Sequence, residues 1–164
     1  MNASQLLLPD GCLTAVTRDV RSYGVRGMET GGFLMANVGT DVLAGIALAG
    51  QSGIDRRGDL FQISERALDR LFAFADDQGF WLPVQLHSHR LAAFMSRTDA
   101  RHGLRVEGFV STIIPGFASP PEDVDAWGWW QFQSGDWQPC RPAAVRPGGP
   151  ELIIAFDEDG VREC

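Results

Sequence analysis

The sequence predicts a mixed α/β fold with a single mixed central β-sheet flanked by helices. Short apolar runs bounded by Gly, Pro and Asp read as strands, among them residues 31–36, 42–49, 82–88 and 151–156. Two other segments, 10–23 and 64–78, repeat their apolar residues at helical spacing instead. Strands surrounding two helices in 164 residues suit one layered core, so residues 1–164 are expected to form one domain.

In chain order, residues 5–8 read as an edge strand ended by Pro9. Asp10 is placed to cap a helix through its side-chain oxygen. Leu13, Val16, Thr17 and Val20 then carry that helix to about Tyr23, and Gly24 and Gly27 punctuate its end. Residues 31–36 and 42–49, with Gly39 and Asp41 between them, read as a hairpin. Residues 51–59 are polar and Gly-bearing, hence a loop, and 60–63 a short strand. Ser64 caps a second helix whose stripe is Ala67, Leu68, Leu71, Phe72 and Ala75, and Gly79 stops it. Residues 82–88 read as a strand ending in histidines, 97–103 as a helical turn and 107–114 as β-rich. A turn-rich loop over 115–125 leads to a second hairpin, 126–133 and 136–140, around Ser134 and Gly135. From 140 onward the expectation is a Pro/Gly-rich irregular stretch to 150, a last strand over 151–156 and an acidic tail over 157–164.

Composition narrows the function. The formal net charge of −7 argues against a nucleic-acid partner, whose phosphates need a basic footprint, and against an anionic membrane surface. No apolar run is long enough to span a bilayer, and the Leu6-Leu7-Leu8 run lacks the positive lead of a signal peptide. Cys12, Cys140 and Cys164 form neither a disulfide framework nor a CxxC pair, so the expected compartment is the cytoplasm. All 14 basic residues are arginine. A GC-rich genome explains that, as does working among lysine-targeting ligases, and the sequence does not separate the two.

The chemistry concentrates in a few residues. His87 and His89 are two apart on a strand, so their imidazoles face the same side. Asp99 follows after a loop that can turn back on them. Two His and one carboxylate with an open position are the ligand set of a catalytic zinc site. Such a site needs a base, and Glu29, at the mouth of an apolar strand, is the candidate. Ser96 is the candidate hydroxyl donor to an oxyanion. The third histidine, His102, reads as helix surface.

Together, Glu29, His87-Ser88-His89, Ser96 and Asp99 resemble the JAMM motif of the JAB/MPN metalloprotease family, and Glu29-Thr30-Gly31-Gly32 is similar to its prokaryotic members. The resemblance covers most of the chain and implies a JAB/MPN (cytidine-deaminase-like) architecture. It implies Zn²⁺ held by His87, His89 and Asp99, with Glu29 as general acid/base and Ser96 as oxyanion donor. Arg90 departs from the Pro often found after the second His, and the His89-to-Ser96 spacing is one residue shorter than usual. The implied activity is cleavage after the C-terminal glycine of a ubiquitin-like protein. Implied partners are E1-like and E2-like proteins of a bacterial conjugation pathway, with antiphage defence as a setting. A catalytically silent MPN-type module binding a ubiquitin-like partner is the alternative. A zinc deaminase is disfavoured, because no Pro-Cys-x-x-Cys pair is present.

Two further features bear on binding. Residues 90–95 and 115–125 are expected to rim a substrate channel. Leu91, Phe94 and Met95 are the candidate substrate contacts, or pack beneath their own loop. In Trp127-Gly128-Trp129-Trp130-Gln131-Phe132 both strand faces are apolar, which fits a strand buried on both sides or one face turned to a partner.

Overall fold

The computed structural model describes residues 6–164. Gln5, where the first expected strand begins, lies outside the described residues. The chain runs β1 (Leu7–Pro9), α1 (Asp10–Gly24), β2 (Gly31–Asn37), β3 (Leu43–Ala49), β4 (Ile54–Arg56), β5 (Phe61–Ile63), α2 (Glu65–Gln78), β6 (Phe80–Ser88) and α3 (Arg97–His102). It continues with β7 (Val110–Ile114), a 3-10 turn (Val124–Ala126), β8 (Gly128–Gln133), β9 (Asp136–Pro139), β10 (Ala144–Arg146), β11 (Leu152–Asp157) and β12 (Gly160–Glu163).

Eight strands form one twisted sheet in the order β12-β11-β3-β2-β6-β7-β8-β9. Within it β11 runs parallel to β3 and β6 parallel to β7, while the other neighbours are antiparallel. This is the mixed central sheet that the alternating apolar runs predict.

The strand alternation decides which helix covers which face. Along β2, Leu34 and Ala36 point to one side, where Leu13, Val16 and Val20 of α1 meet Ile46, Leu86 and Ile114. Phe33 and Met35 point to the other, where Ala67 and Leu71 of α2 meet Ala47, Ile154 and Phe156. Each fully buried Leu, Ile or Phe here contributes about 1.5–3 kcal/mol relative to exposure. Ser64 caps α2 by accepting from the Ala67 N–H at 3.2 Å, and Gly79 ends it in the left-handed region at φ 76°.

Four local expectations are corrected. Asp10 does not cap α1. It is the first helical residue after Pro9, and its carboxylate accepts instead from the Gly148 N–H at 3.1 Å. Residues 51–59 are not all loop, because β4 pairs with β5 in a separate two-stranded ribbon. The stretch from 141 to 150 is not irregular throughout: β10 pairs in parallel with β1, giving that short strand a neighbour. The acidic tail is a strand, since β12 folds back on β11 and Arg162 neutralises Asp157 at 2.8 Å.

The tryptophan run is mostly core. Trp127 and Trp129 are buried and stack at 6.2 Å. Phe132, also buried, meets Trp137 edge-on at 5.2 Å. Trp130 is half-buried. Among the described residues no helix is long and apolar enough to cross a membrane.

Candidate metal centre

The centre sits where β2 begins and β6 ends. These strands are antiparallel neighbours, and Gly31 lies opposite His87. Close approach there requires glycine. A Cβ on Gly31 would press into the Leu86 carbonyl oxygen, and one on Gly32 into that of Ala47. Gly31-Gly32 thus brings Glu29 within reach of the histidines.

Three side chains converge tightly. His87 Nε2 lies 3.2 Å from His89 Nε2 and 3.1 Å from Asp99 Oδ1. His89 Nε2 lies 3.0 Å from Asp99 Oδ2. Glu29, His87 and His89 each offer an atom within 4.8 Å of the others. Glu29 and His89 are buried, and His87 and Asp99 half-buried.

The ring of His89 is oriented from behind. Its Nδ1 lies 3.1 Å from the Ala92 carbonyl oxygen, which can only accept, so Nδ1 carries the proton. Neutral His89 then turns the lone pair of Nε2 toward the Asp99 carboxylate. Lone pairs facing each other at 3.0 Å repel unless a proton or a cation lies between them. A tetrahedral zinc bound to imidazole nitrogens at about 2.0–2.1 Å has ligand atoms about 3.3–3.4 Å apart. The spacing and donor set of the three side chains therefore fit a divalent cation, and the His89–Ala92 bond is the outer support such ligands use.

The electrostatics point the same way. Burial pushes the Glu29 carboxyl up to about 8; the His89 charge opposes this and Asp99 and Asp59 add to it. Burial also raises Asp99, but hydrogen bonds from His87 and His89 overcome it and hold this carboxyl well below the usual range. Burial lowers His89, but the bond to Asp99, the Asp99 and Glu29 charges and the Ala92 carbonyl together outweigh it, so the net shift is upward. Two carboxylates packed beside two imidazoles are relieved by positive charge at their centre.

Ser96 is the N-cap of α3. Its Oγ accepts from the Asp99 N–H at 3.0 Å, and Asp99 Oδ2 accepts from the Ser96 N–H at 3.0 Å. This capping box aims Asp99 at the histidines. Leu91 and Phe94 are exposed, at 76% and 56%. Phe94 stands edge-on to His89 at 5.0 Å, so the aromatic ring borders the centre. Met95 is half-buried. The 115–117 backbone lies beside this loop through the bonds Gly116 N–H to Leu91 O and Phe117 N–H to His89 O.

Several supporting residues escaped the sequence reading. Ser88, fully buried between the histidines, accepts from the Thr30 N–H at 3.0 Å. Arg56 donates to Thr30 Oγ1 at 3.0 Å and to the Ala49 and Gly50 carbonyls at 2.6 Å, with its guanidinium 4.0 Å from the Tyr23 ring centre. The one available signal was a small polar residue buried in an apolar strand. His102 is exposed on α3, as its reading as helix surface expects, and it also borders the cleft that His87 and Asp99 line.

Comparison with known proteins places this geometry. No family model matches the sequence. A protein of Sinorhizobium fredii named a probable metalloprotease is 31% identical over 121 residues, covering 71% of this chain and 74% of that protein. Three solved structures share the fold. The solution structure of a protein from Desulfitobacterium hafniense has a TM-score of 0.67 at 13% identity, covering 88% of this chain and 94% of that one. The crystal structure of a JAB1/MPN domain protein from Archaeoglobus fulgidus has a TM-score of 0.55 at 15% identity, covering 87% and 99%. The solution structure of a Salinibacter ruber protein has a TM-score of 0.52 at 23% identity, covering 88% and 94%. With a relative this similar over this much of its length, the chain belongs to the family of that probable metalloprotease, and it shares its fold with a JAB1/MPN domain protein.

Proposed function

We propose that this chain is a zinc-dependent metallopeptidase of the JAMM type, cutting a peptide or isopeptide bond after the C-terminal glycine of a ubiquitin-like protein. The observation that carries the proposal is the convergence of His87, His89 and Asp99 within 3.0–3.2 Å, with Glu29 beside them. His87, His89 and Asp99 would hold the ion and leave one position open. Zinc supplies a Lewis acid that brings the pKa of water near neutrality and polarises a carbonyl.

The protein's own groups do the rest. Glu29 is buried and its proton affinity is raised, so its carboxylate takes a proton from the attacking water and passes it to the leaving amine nitrogen. Ser96 Oγ donates to the oxyanion of the tetrahedral intermediate while Asp99 N–H holds it in place. Leu91, Phe94 and Met95 form an apolar rim that shields the bond from bulk water. Glycine at the scissile position suits the crowding around Gly31 and Phe94, where a larger side chain would clash.

The reading extends to a pathway. A ubiquitin-like substrate entails E1-like and E2-like proteins that activate and attach it, in a bacterial conjugation system with antiphage defence as one setting. Incubating the protein with ubiquitin-like fusions, with and without a chelator, tests this by mass spectrometry. Cleavage after the terminal glycine that the chelator stops is the expected result. Intact fusions in both arms would leave the silent binding module as the better reading.

A further inference from the structure

A cleft of about 270 Å³ opens beside the metal centre on the α2 face of the sheet. Its apolar walls include Phe61 and Ile63 of β5, Leu68 of α2 and Leu104 after α3. Its floor is different. Phe33, Gln85 and Ser111 lie side by side on β2, β6 and β7, because Phe33 pairs with Gln85 and Gln85 with Ser111. Side chains in register on neighbouring strands face the same way.

Ser111 is 2% exposed as a residue and lines the cleft, and no hydrogen bond joins its hydroxyl to another of the described residues. Its Oγ is not sealed in the interior, where Ser52 Oγ is the unpartnered atom among the described residues, so it faces the cleft and is available to a ligand there. Gln85 is oriented for the same task. Its Oε1 accepts from the Leu104 N–H at 3.1 Å, which leaves Nε2 as an unspent donor next to Ser111. Two donors between apolar walls match a neutral carbonyl oxygen. Among the described residues Asp99 is the only carboxylate lining the cleft, so an anionic group meets repulsion there and a cation meets no carboxylate in the floor.

We propose that Ser111 and Gln85 form an amide-reading subsite that hydrogen-bonds a carbonyl oxygen of the substrate, fixing its position along the sheet. This rests on the peptidase reading above and sharpens it. Gln85 precedes His87 by two residues on one strand, which is roughly 6.7 Å of extended chain. A substrate strand lying along the cleft therefore offers the amide of the residue two positions before its terminal glycine. That amide is either the main-chain group or a carboxamide side chain.

The test measures binding of fluorescein-labelled, C-terminally amidated peptides ending Ala-X-Gly-Gly, with X as Ala, Leu or Gln, by anisotropy in the presence of chelator. Coumarin amides of the same peptides report cleavage in parallel. The variants are Ser111→Ala and Gln85→Glu, the latter keeping the acceptor for Leu104 while removing the donor. Both should weaken binding about tenfold, the size of one lost hydrogen bond. Ser111→Ala should leave Tm unchanged or raised, which a structural serine would not. Equal losses for every X assign the main chain, and a loss confined to X as Gln assigns the side chain. Wild-type affinity in both variants, or no binding to the wild type, overturns the subsite. Binding without cleavage would count against the peptidase reading alone, and cleavage with unchanged KM in both variants against the subsite alone.

Discussion

Ser88 and Thr30 clasp the two strands that carry the centre. The Thr30 N–H donates to Ser88 Oγ at 3.0 Å, and the Ser88 N–H donates to the Thr30 carbonyl at 2.8 Å. Ser88 lies between His87 and His89, and Thr30 directly follows Glu29, so the clasp sets Glu29 against the two histidines. Ser88→Ala leaves a buried N–H unpaired and should cost about 1–3 kcal/mol. Zinc stoichiometry should survive while turnover falls, read by denaturant unfolding, metal analysis and kinetics on one sample.

Glu29 and Asp99 are both carboxylates near the histidines, but they stand at different distances from them. Asp99 touches both imidazoles, whereas Glu29 stands farther off, within 4.8 Å. Glu29→Gln should therefore retain one zinc per chain and lose turnover by at least about a hundredfold, the usual contribution of a general acid/base. Asp99→Ala should lose both. Elemental analysis of the two purified variants decides the matter, and a Glu29→Gln protein that fails to bind zinc would make Glu29 a ligand.

Asp157 makes stability depend on pH. The Arg162 guanidinium lowers its pKa against the opposing effect of burial, and the N–H groups of Gln51 and Asp159 lower it further, holding the carboxyl well below the usual range. A depressed folded-state pKa gives stability that is complete above the unfolded value of about 3.9 and is lost as pH falls below it. Asp157→Asn should be less stable by about 1–3 kcal/mol at neutral pH, and the gap should narrow in strong acid. Urea unfolding at neutral and acidic pH measures both.

Phe94 borders the centre and leaves more than half of its surface to solvent. Phe94→Ala should leave Tm nearly unchanged, since exposed sites usually stay within about 0.5 kcal/mol. If the rim meets substrate, KM for a ubiquitin-like fusion should rise several-fold. Steady-state kinetics with an unchanged KM would remove Phe94 from the contact surface.

The parts of this protein that were legible in the sequence are those whose information is local. The α1 and α2 stripes, the Ser64 and Gly79 ends of α2 and the β2–β3 hairpin follow from periodicity and turn residues within a few positions of each other. His87, Ser88 and His89 also declare themselves locally, since strand alternation alone puts both imidazoles on one side. Pairings between distant segments were not legible. β10 is a strand because β1 lies beside it, and β12 because Arg162 meets Asp157, neither of which a Pro/Gly-rich or acidic stretch announces. Ser96 looked like a catalytic hydroxyl, and only the folded turn reveals that it also caps α3 and aims Asp99. The row of Phe33, Gln85 and Ser111 comes from three strands far apart in sequence. Backbone propensity acts over a few residues, whereas strand register and the position of a cleft are set by burying whole faces at once. The sequence alone thus pointed to the side chains that converge, and the tertiary structure decided what stands around them.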